Sequence, residues 1–254
     1  MTSEAQSRTI ADGSVGVEVA GVTDRGTVRT ENQDIWAAFV AREETPNRVG
    51  LVVGDGMGGH AGGREAAAAA VEAAVLRLRE GGTQPDMVQD AIHDANAAVA
   101  GVRNLIGGDP GTTLVLASVQ GERAVIGNVG DSRAYLIRGG LITQLTFDHS
   151  WVGDEVRAGR LQPEDVRSHP RRNVITRAVM GVPVAADVLS TELQRGDTLL
   201  LCSDGVWEPL SDEHIAELVT DGGPLVRDLE RLCEAALDAG GRDNVTAVAA
   251  RLTA

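Results

Sequence analysis

Residues 112–138 run TTLVLASVQGERAVIGNVGDSRAYLIR, three β-prone apolar runs parted only by Gly-Glu and Gly-Asp pairs. Connections this short join antiparallel neighbours, because a parallel return needs a crossover of about a dozen residues or more. Similar runs lie on either side: VGVEVAGVT (15–23), RVGLVVGD (48–55), DVLSTEL (187–193), DTLLLCSD (197–204) and NVTAVAARL (244–252), bounded mostly by Gly, Asp or Asn. The sheets are therefore expected to be mainly antiparallel.

Helical sequence comes in two blocks. GREAAAAAVEAAVLRLRE (63–80) and PDMVQDAIHDANAAVAGVRN (85–104) are rich in strong helix formers, and SDEHIAELV (211–219) and PLVRDLERLCEAALDA (224–239) form a second pair, the first opened by a Ser cap and the last stopped by Gly240 and Gly241. Clustered helices must cover the sheets from outside, which gives an α+β layered sandwich. Residues 1–14 read as a flexible tail and 15–254 as one domain. The polar, weakly periodic stretch 148–172 reads as a partly helical surface insertion of the kind that borders active sites.

Net charge is −14 and the isoelectric point about 4.7, a field that repels nucleic acid and anionic membrane. The same carboxylates read equally well as a solubility device until some fall into a pattern. All 23 residues counted as Lys or Arg are Arg. Without lysine, the usual P-loop, protein-kinase and pyridoxal mechanisms are excluded, so phosphate would have to be handled by Arg or a metal. Cys202 and Cys233 match no metal-ligand spacing and read as reduced thiols, with a single disulfide as the lesser alternative. The N-terminal MTSEAQSRTIADGS has no apolar core for a signal peptide, and no run is long enough to span a bilayer, so a cytoplasmic location is expected.

The informative acids sit at strand ends beside glycine. LVVGDGMGGH places Asp55 after an apolar run, with Gly56 free to bring a carbonyl close to an ion, and DTLLLCSDGVWE repeats the pattern at Asp204. Asp243 precedes the last strand and Asp131 lies between two others. Each alone reads more readily as a turn residue than as a metal ligand. Several buried carboxylates converging would repel one another, and a divalent cation relieves both burial and repulsion. An all-oxygen donor set suits hard ions such as Mg²⁺ or Mn²⁺ rather than zinc.

Eight segments in order, TDRGTVRTENQD, VVGDGMGGHAGG, GTTLVLA, NVGDSRAYLIR, LTFDHS, NVITRAVMG, LLLCSDGVWE and GGRDNVTAVAA, resemble the metal-dependent protein phosphatases of type 2C, in particular their compact bacterial members. The resemblance implies a four-layer α-β-β-α sandwich with two central antiparallel sheets. It also implies removal of phosphate from Ser or Thr of partner proteins by a water shared between two metal ions, without a phosphoenzyme. By position, Asp55 would bridge the ions, the carbonyl of Gly56 would bind one, and Asp204 and Asp243 would complete the other. Asp131 would join Asp204 in a third, weaker site, Asp34 would act through water, and Arg29 would grip the substrate phosphate. Taken alone, Arg29 reads as a surface residue on a turn.

Two positions depart from relatives. Gln33 stands where many eukaryotic members have a ligating Glu, which leaves the second ion more dependent on water, as in bacterial relatives with NQD. Met57 stands where animal enzymes have a His that protonates the leaving oxygen. His60 is the nearest substitute as general acid, although a His after two glycines reads as readily as part of the turn. His149 is expected to order the start of the insertion, and His93 and His214 read as ordinary helix residues. The insertion corresponds to a flap beside the metals. The implied partners are phosphorylated proteins and a Ser/Thr kinase acting on them, with a monomer as the default state. Two other classes compete: a catalytically dead phosphoprotein-binding module, disfavoured because Asp55, Asp204 and Asp243 are all intact, and a structural Ca²⁺ site.

Overall fold

The computed structural model of the chain describes residues 6–13, 16–41, 47–58, 62–220 and 222–253. One sheet takes the strands β1 (Gln6–Asp12), β2 (Val17–Asp24), β12 (Val245–Leu252), β11 (Thr198–Cys202), β8 (Arg133–Arg138) and β9 (Leu141–Gln144) in that order. The second takes β10 (Asp187–Glu192), β7 (Arg123–Val129), β6 (Leu114–Gln120), β4 (Arg48–Met57) and β3 (Asp34–Ala41), with the short β5 (Gly111–Thr112) on the end of β4. The neighbouring strands run antiparallel throughout.

Each central strand is apolar on both faces because both are covered. In β11, Leu199 and Leu201 meet Val49, Leu51, Val115 and Ile126 of the other sheet, whereas Leu200 and Cys202 face outward. There they meet α5 (Asp212–Val219) and α6 (Leu225–Asp238), through Ile215, Leu229 and Leu232. On the opposite outer face, α1 (Gly63–Arg79) and α2 (Pro85–Ile106) bury Ala66, Ala70, Ala74, Ile92 and Ala95 against Val52, Leu114, Leu116 and Val125. The small alanines let α1 lie close to the sheet, and the result is the four-layer α-β-β-α sandwich.

The flexible tail expected over 1–14 needs correction where it can be seen; residues 1–5 and 14 lie outside the described residues. From Gln6 the chain forms β1, paired with β2 from Gln6↔Thr23 to Asp12↔Glu18. Its single buried apolar residue, Ala11, with Ile10 packed beside it, suffices for an edge strand. Strand β3 also goes unanticipated, although DIWAAFVA alternates as a strand should: Trp36, Ala38 and Val40 face the other sheet and Ile35, Ala37 and Phe39 face α1 and α2.

The 148–172 stretch holds α3 (Trp151–Arg157), capped by Ser150, which accepts from the Gly153 amide at 3.1 Å, and a 3-10 turn over Pro163–Ser168. The surface reading fails at its start, where Asp148, His149 and Ser150 are buried. The remainder is anchored in the core by the buried Val152 and Val166 and tied to α5 by Arg167, which donates to Asp212 at 2.6 Å, while on its outer side Trp151 stacks on His169 with centroids 4.9 Å apart and Arg160 pairs with Glu155 at 2.6 Å.

Candidate active site

Strand direction explains where the acids meet. The C-terminal ends of β2, β4, β7 and β11 and the N-terminal ends of β3, β8 and β12 lie at one end of the sandwich, since each pair runs antiparallel. There the chain crosses between sheets from β2 to β3 and from β7 to β8. Asp34 and Asp55 stand opposite each other in the β3–β4 register, Asp131 lies in the second crossing, Asp204 opens the short helix α4 (Asp204–Trp207) directly after β11, and Asp243 precedes β12.

A cleft of about 450 Å³ opens at this end, lined among others by Arg29, Gln33, Asp55, Gly56, Met57, Asp204 and Asp243. Its backbone is pinned from below. The Asp55 amide donates to Thr113 Oγ1 at 3.1 Å, and Thr112 Oγ1 donates to the Asp55 carbonyl at 2.9 Å. Ser203 Oγ donates to Asp34 Oδ2 at 2.7 Å and accepts from the Thr246 amide at 3.1 Å. The Asp131 carbonyl accepts from Trp207 Nε1 at 3.0 Å, and the Arg133 guanidinium lies 3.6 Å from the Trp207 ring centre, so the Asp131 turn and α4 are held as one block. Glycine is required where segments touch: a Cβ on Gly205 would sit 2.0 Å from the Asn244 carbonyl oxygen, and one on Gly26 (φ +77°) 2.1 Å from that of Asp243.

The electrostatics are those of buried acids repelling one another. Burial, followed by the charges of Asp34, Asp204, Asp131 and Asp243, pushes Asp55 well above the ordinary carboxylate range. Asp204 is pushed up likewise by burial and then by Asp131 and Asp243. Burial raises Asp131 to about 7 and Asp34 to about 6, the latter against the stabilising bond from Ser203. Asp34 Oδ1, Asp131 Oδ1 and Asp204 Oδ1 are buried with no hydrogen-bond partner. Unsatisfied buried oxygens of this kind are costly unless something binds them.

Among the described residues, no three His, Cys, Asp or Glu side chains are gathered tightly enough to hold an ion by themselves. One reason is visible. Asp243 is turned onto Arg29, with Oδ2 2.6 Å from Nη2, while its Oδ1 accepts from the Asn244 amide at 2.8 Å. The partnerless oxygens and the all-oxygen donors nevertheless fit hard divalent cations, provided backbone carbonyl and water complete the set.

His60 lies outside the described residues. His149 is fully buried; its Nδ1 accepts from the Gly130 amide at 3.1 Å and its Nε2 lies 3.1 Å from Asp187 Oδ2. Burial holds its pKa down. It therefore fastens the start of the insertion to the Asp131 turn. Asn244, Ser203 and Thr113 are not recognisable from sequence, since polar residues beside a motif carry no spacing signal. For Asn244 the available cue is its place immediately after Asp243.

A family model described as Protein phosphatase 2C matches residues 25–248. The serine/threonine protein phosphatase PstP of Mycobacterium tuberculosis is 39% identical over 239 residues, covering 91% of this chain and 44% of PstP, so the chain spans less than half the length of that relative. Protein phosphatase PhpP of Streptococcus pneumoniae is 36% identical over 240 residues, covering 91% of this chain and 95% of PhpP. Among solved structures, the catalytic domain of PstP in complex with two manganese ions matches with a TM-score of 0.82 at 35% identity, over 94% of this chain and 99% of that one.

Proposed function

The chain belongs to the protein phosphatase 2C family, and from that premise we propose that it hydrolyses phosphoserine and phosphothreonine esters of proteins with the help of Mn²⁺ or Mg²⁺. The observation that carries this reading is the set of partnerless buried oxygens on Asp34, Asp131 and Asp204 around the cleft that Asp55 and Asp243 also line. In this reading Asp55, the carbonyl of Gly56, Asp204 and Asp243 hold two cations. Asp131 and Asp204 offer a third, weaker position, and Asp34 acts through water.

Bound there, two divalent cations supply an activated water near neutral pH and neutralise phosphoryl charge. Arg29, whose side chain is 55% exposed at the cleft, turns its planar fork from Asp243 to the phosphoryl oxygens, a geometry lysine would not reproduce. Gln33 contributes no charge, which leaves that side of the site more dependent on water. The leaving alkoxide needs a proton. Met57 has none to give, and His60, two residues beyond the cleft-lining Gly58, is the candidate donor. The 148–172 segment acts as a flap, since Asn173 and Ile175, which line the cleft, follow directly from it.

The partners this activity implies are phosphorylated proteins and a serine/threonine kinase that supplies them, with the chain acting as a monomer. Among the described residues no helix is long and apolar enough to cross a membrane. The test is hydrolysis of p-nitrophenyl phosphate and of a phosphothreonine peptide by the purified chain with Mn²⁺. Activity should vanish in EDTA, and Asp204→Asn should lose at least about a hundredfold in kcat, the scale of removing one group that acts on the transition state. Wild-type turnover in both Asp55→Asn and Asp204→Asn would defeat this reading, and phosphopeptide binding without turnover would point to a recognition module instead.

A further inference from the structure

The segment that carries Arg29 has no core of its own. Thr27, Val28, Arg29, Thr30 and Glu31 are all exposed, so apolar burial does nothing to fix the guanidinium. Loops held this way open at little cost, and a phosphate-gripping group gains from being positioned before substrate arrives.

The fastening comes instead from one buried amide. Asn244 is 5% exposed, and its side chain makes three hydrogen bonds to this one segment. Nδ2 donates to the Arg25 carbonyl at 2.8 Å and to the Glu31 carbonyl at 2.9 Å, while Oδ1 accepts from the Gln33 amide at 2.8 Å. The two legs of the loop are thereby tied together beneath Arg29, at positions four residues before it and two and four residues after it. Other contacts each hold one residue: Thr27 donates from its amide and hydroxyl to the Gly240 and Gly241 carbonyls, Asn32 Nδ2 donates to Thr23 Oγ1 at 2.9 Å, and Arg29 itself pairs with Asp243 at 2.6 Å. The closeness is enforced by Gly26, where a side chain would collide with the Asp243 carbonyl. Asn244 also follows Asp243 in the chain, so the residue that fixes the loop and the proposed cation ligand share one rigid stretch of backbone.

We propose that Asn244 is a positioning residue that sets Arg29 for the substrate phosphate, a role resting on the phosphatase reading above. It touches neither the phosphate nor a cation. Three properties follow. Loss of the side chain weakens phosphate capture, which appears in KM. It leaves the cations in place, because the Asn244 amide that binds Asp243 belongs to the backbone and survives substitution. And it matters only while Arg29 is present.

The experiment compares wild type, Asn244→Ala, Arg29→Ala and the double variant with p-nitrophenyl phosphate at saturating Mn²⁺, alongside calorimetric titration of Mn²⁺ and hydrogen exchange of the Gln33 amide. Asn244→Ala should raise KM about tenfold, with kcat and Mn²⁺ affinity changed by less than about threefold. In the Arg29→Ala background the same substitution should change KM by less than about twofold, the non-additivity expected of residues acting as one unit. The Gln33 amide should lose protection in Asn244→Ala.

A fall in kcat and Mn²⁺ affinity at unchanged KM, or a full additional effect on top of Arg29→Ala, would overturn the proposal. So would unchanged Gln33 protection. Asn244→Ser, whose hydroxyl accepts from Gln33 but cannot bridge both carbonyls, provides the same comparison if the alanine variant fails to fold. If wild type hydrolyses nothing while Gln33 protection still depends on Asn244, the clamp stands and the phosphatase reading falls; activity with Asn244-independent kinetics and protection does the reverse.

Discussion

Replacing Asp34 by Asn should make the metal-free protein more stable although it damages the site. Asp34 is 3% exposed, faces Asp55 across the β3–β4 pair, and is held at about 6 instead of 3.8, chiefly by burial. A carboxyl raised by that much is ionised at pH 7.5 at a cost to the fold on the order of 3 kcal/mol. The direction in pH follows from proton uptake. Below 3.8 both folded and unfolded chains carry the proton and nothing is lost; as pH rises from 3.8 to about 6 the unfolded chain releases it first, so stability drains away over that interval and is flat above it.

Asparagine keeps an acceptor for Ser203 Oγ and removes the charge. The gain is smaller than the full cost because a buried amide still wants partners, so about 1–3 kcal/mol is expected, or about 3–10 °C in melting temperature for a domain of this size. Thermal and urea unfolding in EDTA at pH 7.5 and pH 4 measure it. The gain should be present at the higher pH, nearly absent at the lower, and reduced by added Mn²⁺ in proportion to the cation's preference for the wild-type charge. A variant no more stable than wild type at pH 7.5, or equally stabilised at both pH values, would refute the electrostatic picture of this cluster.

Other consequences are simpler to measure. Because Arg29 occupies Asp243 Oδ2 in an exposed pair, Arg29→Ala should tighten Mn²⁺ binding by up to about fivefold in calorimetry while weakening phosphate capture, a surface ion pair being worth up to about 1 kcal/mol; weaker metal binding would contradict this. Gly205→Ala should destabilise by several kcal/mol in urea unfolding, on the order of 2–4, because its Cβ would lie 2.0 Å from backbone oxygen that cannot yield. Asp228 is fully buried between Arg231 at 2.7 Å and Arg251 at 2.5 Å, so Asp228→Ala should cost about 2–3 kcal/mol by the same measurement, Arg251 keeping Glu18 and Arg231 its access to water.

The strands ending at Asp55 and Asp204 are legible from sequence because burial on both faces makes each run continuously apolar, and the Ala-rich helices because their propensity and their packing demand the same residues. Strand β3 is harder to see. Five of its eight residues are small or β-branched aliphatics beside Trp36 and Phe39, and without flanking turn glycines nothing marks its edges. β1 is invisible for the opposite reason, since an edge strand with one buried side chain looks like a tail. At the site, each acid's type and strand-end position are readable, but their convergence depends on strand order, which local pattern does not encode. Asn244 illustrates the same limit: its three partners lie more than two hundred residues away in the chain.

Crystals grown with Mn²⁺ and measured at the manganese absorption edge would locate the cations without reference to activity. Strong anomalous peaks should lie in the cleft between Asp55, Asp204 and Asp243, with Arg29 no longer on Asp243. A map with no peak there, in crystals whose solution contained saturating Mn²⁺, would mean that these acids do not share cations.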